Sequence, residues 1–331
     1  MFKQHPVGYL LLLKILSDKK IYSYKSLSAE LSCTTIALSK YISELTLQGI
    51  EISQVHGTAI CWPRPFIWIN EISINSYLYN ISHHFNLIKF NLLDSTNSYL
   101  LRNKSFYLKQ KRIPVIVTEW QTNGRGTRNR NWLSNLGGSL TFSFLWCFTP
   151  HVRNIHTLSL ILGVGLVRVF RKLKLPNIYL KWPNDIIFNK RKFGGILTEC
   201  STNGHHSITA VIGVGINFKL ASNLVGSLDY PVADLFDITG QQVDRNRILA
   251  LLLTELRNIL STFEKKGFGF FRDEWVSYHA YHGQTVILKF WDGSIFEGVV
   301  DGVLNNGSLV LSTASGQKVF SMGEISMKAK D

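Results

Sequence analysis

A segment rich in glycine and arginine, directly after a strand-like run, constrains this chain more than any other feature. The segment is residues 124–132, with the sequence GRGTRNRNW, and the run before it is residues 114–118. Glycine lets the backbone approach a ligand closely, and guanidinium groups beside consecutive amides suit a phosphate or a carboxylate. The pattern predicts an anion-binding loop at a strand end. A solvated basic loop and an arginine-rich nucleic-acid tract are the alternatives.

A second motif, KWPND at residues 181–185, lies between two strand-like runs, residues 178–180 and 186–188. Pro183 cannot donate a hydrogen bond to a sheet, so it favours a bend at this point. The bend can aim the polar side chains of the motif into one shared site. Residues 189–192 then predict a hairpin turn into a further strand. An ordinary polar hairpin is the alternative interpretation.

Length and composition favour several folded domains. The chain has 331 residues, 45% of them hydrophobic, which is enough for two or three domains with apolar cores. Its apolar runs are shorter than the roughly 20 residues of a membrane helix, and no signal-peptide pattern is visible. The four cysteines lack CxxC spacing, so we expect reduced thiols and no fixed metal site. These features predict a cytoplasmic protein without a membrane partner.

The formal net charge of +14 predicts attraction to polyanions. Charge alone does not identify the partner, because much of the excess lies outside the first sixty residues. DNA, an acidic protein and an adenylate are all compatible with it.

The N-terminal residues 1–63 predict a winged helix-turn-helix. Helical patterns over residues 7–16, 23–31 and 35–47 precede two strand-like runs joined by a His56-Gly57 turn. The third helix is expected to pack through Ile36, Leu38, Ile42 and Leu45. Its polar groups, expected to enter a DNA major groove, are Thr34, Thr35, Ser39, Lys40 and Ser43. An unrelated helical regulatory or packing domain is the alternative.

The predicted secondary structure of the remaining chain changes once, from mixed helices and strands to strands alone. Residues 66–278 alternate strand-like and helix-like runs, with long helices predicted over residues 156–172 and 245–265, which indicates an α+β domain with a mixed sheet. Residues 279–331 are all-β, with Asp-Gly and Asn-Gly hairpin signals. This last region predicts a small barrel.

Five motifs, in order and spacing, resemble the biotin protein ligase family, and above all its bifunctional members that also repress the biotin operon. The family loop GRGRxGRxW corresponds to residues 124–132, and KWPND to residues 181–185. A KxxGIL-type segment is found at residues 192–197, DSTN at residues 94–97, and a GxGIN strand end at residues 213–217. The resemblance covers nearly the whole chain and implies a central ligase domain followed by an SH3-like C-terminal barrel.

The resemblance implies an activity with two steps. The family uses ATP and Mg²⁺ to convert biotin to biotinyl-5′-AMP, and then transfers biotin to a lysine of the biotin carboxyl carrier protein of acetyl-CoA carboxylase. It also implies operator DNA as a partner and a homodimer when biotinyl-AMP is bound. Because a carboxylate and a phosphate repel each other, cations must screen them before they react.

The implied site residues fall into three groups. The catalytic residues are Lys192, Arg125 and Asp185, the last either orienting Lys192 or contacting magnesium. The biotin-binding residues are Ser95, Thr96, Asn97, Gln121, Gly124, Arg125, Gly126, Thr127 and Lys192. The residues expected to bind ATP or the adenylate are Arg128, Arg130, Lys181, Asn184 and Asn217.

Two positions of the loop depart from the family pattern. Thr127 stands where the family has arginine, and Asn129 where it has glycine. Tyr230 is the residue available to stack on adenine, because no tryptophan is found in that region. One alternative is therefore a DNA-binding biotin sensor with a degenerate ligase domain. A second is a related acyltransferase that uses lipoate or octanoate, although those families lack KWPND followed by this lysine.

Overall fold

A computed structural model of the chain describes residues 6–149, 152–175, 177–202, 207–290, 292–321 and 325–329. Its first part combines three helices with a small antiparallel sheet. The helices are α1 (Pro6–Leu16), α2 (Tyr24–Glu30) and α3 (Thr35–Leu47), and the strands are β1 (Tyr22–Ser23), β2 (Ser53–Val55) and β3 (Ala59–Cys61), in the order β1-β3-β2. We call this part the N-terminal module.

Hydroxyl groups begin two helices of the N-terminal module. Thr34 Oγ1 accepts a hydrogen bond from the Ala37 amide at 3.1 Å, as the sequence predicts for a helix start. Leu38, Ile42 and Leu45 are buried, as expected. Ile36 is not, since it is 82% exposed. The prediction for Ile36 was wrong because its position in the first turn of α3 faces away from the core.

A mixed seven-stranded sheet forms the centre of the molecule. Its strands are β4 (Phe85–Phe90), β5 (Ile113–Thr118), β8 (Ser139–Phe148), β9 (Ile178–Lys181), β10 (Asp185–Phe188), β11 (Arg191–Thr202) and β12 (Ile208–Asn217). The order is β4-β5-β8-β12-β11-β10-β9, with β4 and β5 parallel and the other neighbouring pairs antiparallel. A separate two-stranded ribbon consists of β6 (Gly124–Arg125) and β7 (Asn131–Trp132).

Helices cover both faces of the central sheet. They are α4 (Glu71–Leu78), α5 (Thr96–Arg102), α6 (Lys104–Tyr107), α7 (Leu158–Lys172), α8 (Ser222–Gly226), α9 (Leu235–Thr239), α10 (Arg245–Lys266) and α11 (Arg272–Tyr278). Helices α7 and α10 pack together and bury most of their apolar side chains in the main core. Helix α5 packs on β8 and β12 over a smaller apolar cluster. None of the described helices combines the length and apolar character needed to cross a membrane.

A five-stranded antiparallel sheet follows near the C-terminus. Its strands are β13 (Thr285–Phe290), β14 (Ile295–Val303), β15 (Leu309–Thr313), β16 (Gly316–Phe320) and β17 (Ile325–Ala329), in the order β16-β15-β14-β13-β17. Trp182 Nε1 donates a hydrogen bond to the Gly307 carbonyl at 3.1 Å, so this sheet is tied to the KWPND turn. The predicted α+β architecture, with a mixed central sheet and a C-terminal antiparallel sheet, is confirmed.

The N-terminal module rests directly on the segment that follows β12. Asn223 Nδ2 donates to the Leu47 carbonyl at 2.6 Å, and Lys219 forms an ion pair with Glu51 at 2.9 Å. Gly49 has a φ of +79°, and a Cβ there would lie 2.6 Å from the Cβ of Ala221. A side chain at position 49 would therefore strain the backbone and push the two parts of the molecule apart.

Candidate active site

The motifs of the central part surround one cavity of about 140 Å³. Its floor comes from β8, β11 and β12, and its walls come from the glycine–arginine loop and the KWPND turn. Five cationic side chains line it, namely Arg125, Arg128, Arg130, Lys181 and Lys192. Among the described lining residues Asp185 is the single carboxylate. This excess of positive charge suits an anionic ligand.

The KWPND turn joins β9 to β10 and is fixed to β11. Asn184 is bonded twice to Ile196, its carbonyl accepting from the amide at 3.0 Å and its Nδ2 donating to the carbonyl at 2.8 Å. The Trp182–Pro183 peptide bond is cis. Lys181 and Asp185 are register partners in the β9–β10 pair, so the turn places a cation and an anion side by side at the cavity.

Lys192 lies at the centre of the cavity wall. Its Nζ is 2.7 Å from Asp185 Oδ1, 5.9 Å from the ring centroid of Trp132 and 5.5 Å from that of Tyr230. Burial lowers the pKa of Lys181, and the nearby charges of Lys192 and Arg130 act in the same direction, against the attraction of Asp185. Asp185 therefore pairs with Lys192 and also attracts the positive charge of Lys181.

The glycine–arginine loop is a short ribbon closed by backbone bonds. Gly124 pairs with Trp132 across β6 and β7, and a Cβ on Gly124 would overlap the Trp132 carbonyl oxygen. The Gly126 amide donates to the Arg130 carbonyl at 2.7 Å. Arg128 takes the left-handed conformation, with a φ of +59°. Asparagine tolerates this left-handed conformation, but the residue that adopts it is Arg128, one position before Asn129.

Arg125 is paired with a carboxylate that sequence reasoning missed. Its guanidinium contacts both oxygens of Glu199 on β11, at 2.6 and 3.1 Å. Glu199 Oε2 also accepts from Asn97 Nδ2 at 2.9 Å. The Arg125 charge is therefore compensated at the cavity mouth. An acidic residue near the end of a long predicted strand is the only signal that could have pointed to Glu199.

The cavity residues Ser95, Thr96, Asn97 and Gln121 belong to a buried polar network. Gln121 Oε1 accepts from the Thr96 amide at 2.8 Å, and Thr96 Oγ1 lies 2.6 Å from Ser143 Oγ. Ser143 Oγ donates to Asn97 Oδ1 at 2.5 Å. Ser95 begins α5 by accepting from the Ser98 amide at 3.3 Å. Ser143 was not predicted, although polar residues alternating within the apolar strand β8 would have marked it.

Two glycines of β12 make room for these groups. A Cβ on Gly213 would overlap the side-chain amide of Asn97, and a Cβ on Gly215 would lie 2.6 Å from the Trp132 indole. The glycines of the GxGIN motif are therefore needed for close packing, because the side chains of Asn97 and Trp132 occupy the space that a Cβ would take.

Comparison with known proteins gives one consistent result. The model of the biotin/lipoate A/B protein ligase family matches residues 89–217, and that of the biotin protein ligase C-terminal domain matches residues 281–328. The bifunctional ligase/repressor BirA of Escherichia coli is 30% identical over 322 residues, covering 97% of this chain and 98% of that protein. The chain belongs to the biotin protein ligase family. This is a family of enzymes.

More distant relatives agree with this family. BirA of Bacillus subtilis is 26% identical over 92% of this chain and 94% of its own length. The solved biotin protein ligase of Aquifex aeolicus, in complex with biotin and ATP, superimposes with a TM-score of 0.63 at 29% identity, covering 74% of this chain and 99% of that one.

The structure brings most of the predicted residues of this ligase family to the cavity. Those that line it are Ser95, Thr96, Asn97, Gln121, Arg125, Gly126, Thr127, Arg128, Arg130, Lys181, Asn184, Asp185 and Lys192. Tyr230 lines it as well, and so does Met327 of β17, which no sequence motif marks.

Two predicted residues lie outside the cavity lining. Asn217 is buried, and its amide donates to the carbonyls of Lys192 and Ala233 at 3.3 and 3.1 Å. It therefore holds the Lys192 strand against the segment that carries Tyr230, and its contact with an adenylate stays a prediction. Gly124 supports the loop from behind, against Trp132 and Gln121.

The five residues predicted to contact DNA share one exposed surface of α3. Thr34, Thr35, Ser39, Lys40 and Ser43 are all exposed. Ser43 Oγ donates to the Ser39 carbonyl at 3.0 Å. The exposed Ile36 lies in the same first turn.

Proposed function

We propose that the protein activates biotin with ATP and transfers it to a lysine of the biotin carboxyl carrier protein of acetyl-CoA carboxylase. The observation that carries this proposal is the cavity whose described lining includes five cations, a single carboxylate and the polar residues Thr96 and Asn97. Both polar residues are hydrogen-bonded to the buried Ser143. The neutral polar residues suit the ureido ring of biotin. The cationic residues suit the biotin carboxylate and the triphosphate of ATP with which it reacts.

The biotin would lie with its ureido ring against the buried polar network. That ring has two N–H donors and one carbonyl acceptor, and the hydroxyl and amide groups there offer both functions. Ser95, Thr96, Asn97 and Gln121 would surround it. Gly126 and Thr127 would cover the valeryl chain, which leaves the carboxylate beside Lys192.

The first step forms biotinyl-5′-AMP. An oxygen of the biotin carboxylate attacks the α-phosphorus of ATP, a new P–O bond forms, and the bond to pyrophosphate breaks. Lys192 and Arg130 would reduce the repulsion between the two anions and stabilise the charge that develops on the phosphate. Asp185 orients the Lys192 ammonium through the 2.7 Å ion pair.

The second step transfers the biotinyl group. The neutral amine of the acceptor lysine attacks the acyl carbon, an amide bond forms, and AMP leaves with the electrons of the broken C–O bond. The acceptor nitrogen loses its extra proton to solvent or to a phosphate oxygen. Arg128 and Lys181 would hold the AMP phosphate in place, and Tyr230 would stack on the adenine.

Magnesium would enter with ATP. Such sites hold Mg²⁺ through one or two carboxylates together with substrate phosphates, and Asp185 supplies one carboxylate at the cavity. No cluster of three or more His, Cys, Asp or Glu side chains is found in the described part of the chain. The residues present therefore fit a metal ion that is carried mainly by the nucleotide.

We also propose that the protein is a biotin-responsive repressor of biotin synthesis genes. In this proposal residues 1–63 are a winged helix-turn-helix, residues 66–278 the ligase domain and residues 279–331 an SH3-like barrel. The exposed polar surface of α3 supports the DNA-binding role, because a helix enters the major groove through such a surface.

A homodimer would supply the symmetric pair of DNA contacts. Strand β11 pairs with β12 over residues 194–202 but with β10 only over residues 191–195. Within the described residues, its second half thus presents an unpaired edge, which can pair with a second copy. Ordering of residues 124–132 around biotinyl-AMP would favour this dimer.

One experiment separates the ligase from the alternatives. Purified protein is incubated with ATP, the carrier protein and either biotin, lipoate or octanoate, and acylation of the carrier is followed by mass spectrometry. Biotinylation supports the proposal. Transfer of lipoate or octanoate alone would identify the related acyltransferase, and binding of biotin without transfer would identify a sensor with a degenerate ligase domain.

A further inference from the structure

A second cavity of about 280 Å³ lies between the N-terminal module and the central part. One wall comes from residues 49–51 and 62–67, and the other from residues 135–138 and 218–219. Within the described residues, it shares no lining residue with the candidate active site. The ligase chemistry proposed above does not use this space.

Four of the described lining residues are aromatic, and the others are aliphatic, polar or glycine. Trp62 and Phe66 meet edge to face, with ring centroids 5.0 Å apart, and Phe218 and Phe236 contribute further rings. A cavity of about 150 Å³ is large enough to hold benzene in a different, engineered protein. A space roughly twice as large therefore suits a flat molecule of two fused rings.

The charges around the cavity are unbalanced. Among the described lining residues, Arg64, Lys219 and Arg245 are accompanied by a single carboxylate, Glu51. Arg245 is compensated by the buried Glu119 at 2.6 Å. Arg64 and Lys219 share Glu51, at 2.8 and 2.9 Å, so one positive charge is left over at the rim. That charge can be compensated by one anionic group of a ligand.

We propose that this cavity is a second binding site, for a small aromatic monocarboxylate. The ring system contacts Phe66 and Phe236, the two partly exposed aromatic residues of the lining, and the carboxylate contacts Arg64 and Lys219. Because both parts of the molecule line the cavity, the ligand holds the N-terminal module against the central part. The proposal does not depend on the ligase reaction.

The test is calorimetric titration of the full-length protein with 2-naphthoate, in the presence of saturating biotin. We expect one molecule bound per chain, and about tenfold weaker binding of the neutral 2-naphthamide, since loss of one ionic contact is expected to cost about that factor. A bound ligand should also raise the melting temperature. Absence of binding at millimolar 2-naphthoate or equal affinity for the amide would overturn the proposal.

Three variants locate the site. Arg64→Gln should weaken 2-naphthoate binding about tenfold. Lys172→Gln breaks an ion pair to Glu255, neither residue of which lines the cavity, and should not change it. Val243→Trp fills the cavity and should abolish binding while ligase activity remains. If Val243→Trp does not fold, Arg64→Gln decides alone, and wild-type affinity in that variant contradicts the assignment.

Discussion

Lys192 Nζ and Asp185 Oδ1 are 2.7 Å apart, and both side chains are about a quarter exposed. This pair places a cation at the point where two substrate anions would meet, while keeping it oriented before they arrive. Preorganised charge of this kind contributes to rate because no reorganisation is needed during the reaction.

We predict that Lys192→Ala lowers the rate of adenylate formation on the order of 10²-fold or more. The reason is the loss of the cation that screens the carboxylate and the α-phosphate. Biotin-dependent exchange of pyrophosphate into ATP measures this step directly. Lys190→Asn, in the exposed hairpin turn two residues earlier, is the matched control and should keep its rate. Wild-type exchange in Lys192→Ala would show that Lys192 has no such role.

We predict that the wild-type protein releases biotinyl-AMP faster than its Thr127→Arg variant. A charged hydrogen bond to an anion contributes about 1.5–3 kcal/mol, so the arginine should slow release tenfold or more. Stopped-flow release of preformed adenylate measures the rate. Thr127→Met controls for side-chain size without charge. Equal release from the arginine and methionine variants would mean that the threonine is a neutral replacement.

We predict that Gly213→Ala weakens biotin binding about tenfold or more. The new Cβ would displace the Asn97 amide, which breaks its bonds to Ser143 and Glu199, and an unsatisfied buried polar group costs about 1–3 kcal/mol. Equilibrium binding of biotin is the measurement. Gly226→Ala, where a Cβ meets no atom within 4 Å, serves as control. Unchanged affinity would remove Asn97 from the biotin site.

We predict a loss of stability at acidic pH that depends on His279. Burial lowers the pKa of His279 to about 3, with smaller effects from His282 and Lys181. Below its usual pKa of 6.5 the unfolded chain binds a proton that the folded chain excludes, so stability falls as the pH drops from about 6.5 towards 3. At about pH 5 this group alone costs about 2 kcal/mol.

The test of this prediction compares chemical denaturation at pH 7.5 and pH 5. His279→Phe keeps the ring stacked on Trp275, whose centroid is 4.8 Å from that of His279, and should lose less stability between the two pH values than wild type. His83→Leu, at an exposed position, should behave like wild type. The same pH dependence in all three proteins would show that other groups are responsible.

We predict that biotin plus ATP increases both dimer formation and affinity for a palindromic site upstream of biotin genes. Coupling between adenylate and DNA must be reciprocal. Footprinting at fixed salt, with and without the two substrates, measures it. Lys40→Ala should weaken DNA binding, with biotinylation unchanged, and Lys25→Ala on α2 is the control. Equal occupancy in both states would give the N-terminal module another role.

Much of the fold follows from local patterns. Helix α3 begins and ends at the predicted residues because Thr34 caps it and Gly49 turns the chain with a positive φ. Helix α5 begins at Thr96 because the Ser95 side chain caps it. Ile36 was misplaced, since apolarity alone does not tell a core position from an exposed one.

The site was harder to derive than the fold. Motifs located the cavity, but not the pairing of Arg125 with Glu199, which lie 74 residues apart and meet only through the folded sheet. Asn217 is the opposite case, a residue that a motif marks but that does not line the cavity. Its side chain hydrogen-bonds to the backbone carbonyls of Lys192 and Ala233. The contribution of Met327 depends on how the C-terminal sheet docks, which no local pattern encodes.

The contact of Gly49 with Ala221 limits how this protein can be recombined with its relatives. A foreign N-terminal module must present a residue without a Cβ at this point, a carbonyl to Asn223 and a carboxylate to Lys219. A chimera that exchanges residues 1–63 alone would therefore fit poorly unless residues 219–223 come from the same donor. The two segments therefore have to be exchanged together, although more than 150 residues of chain separate them.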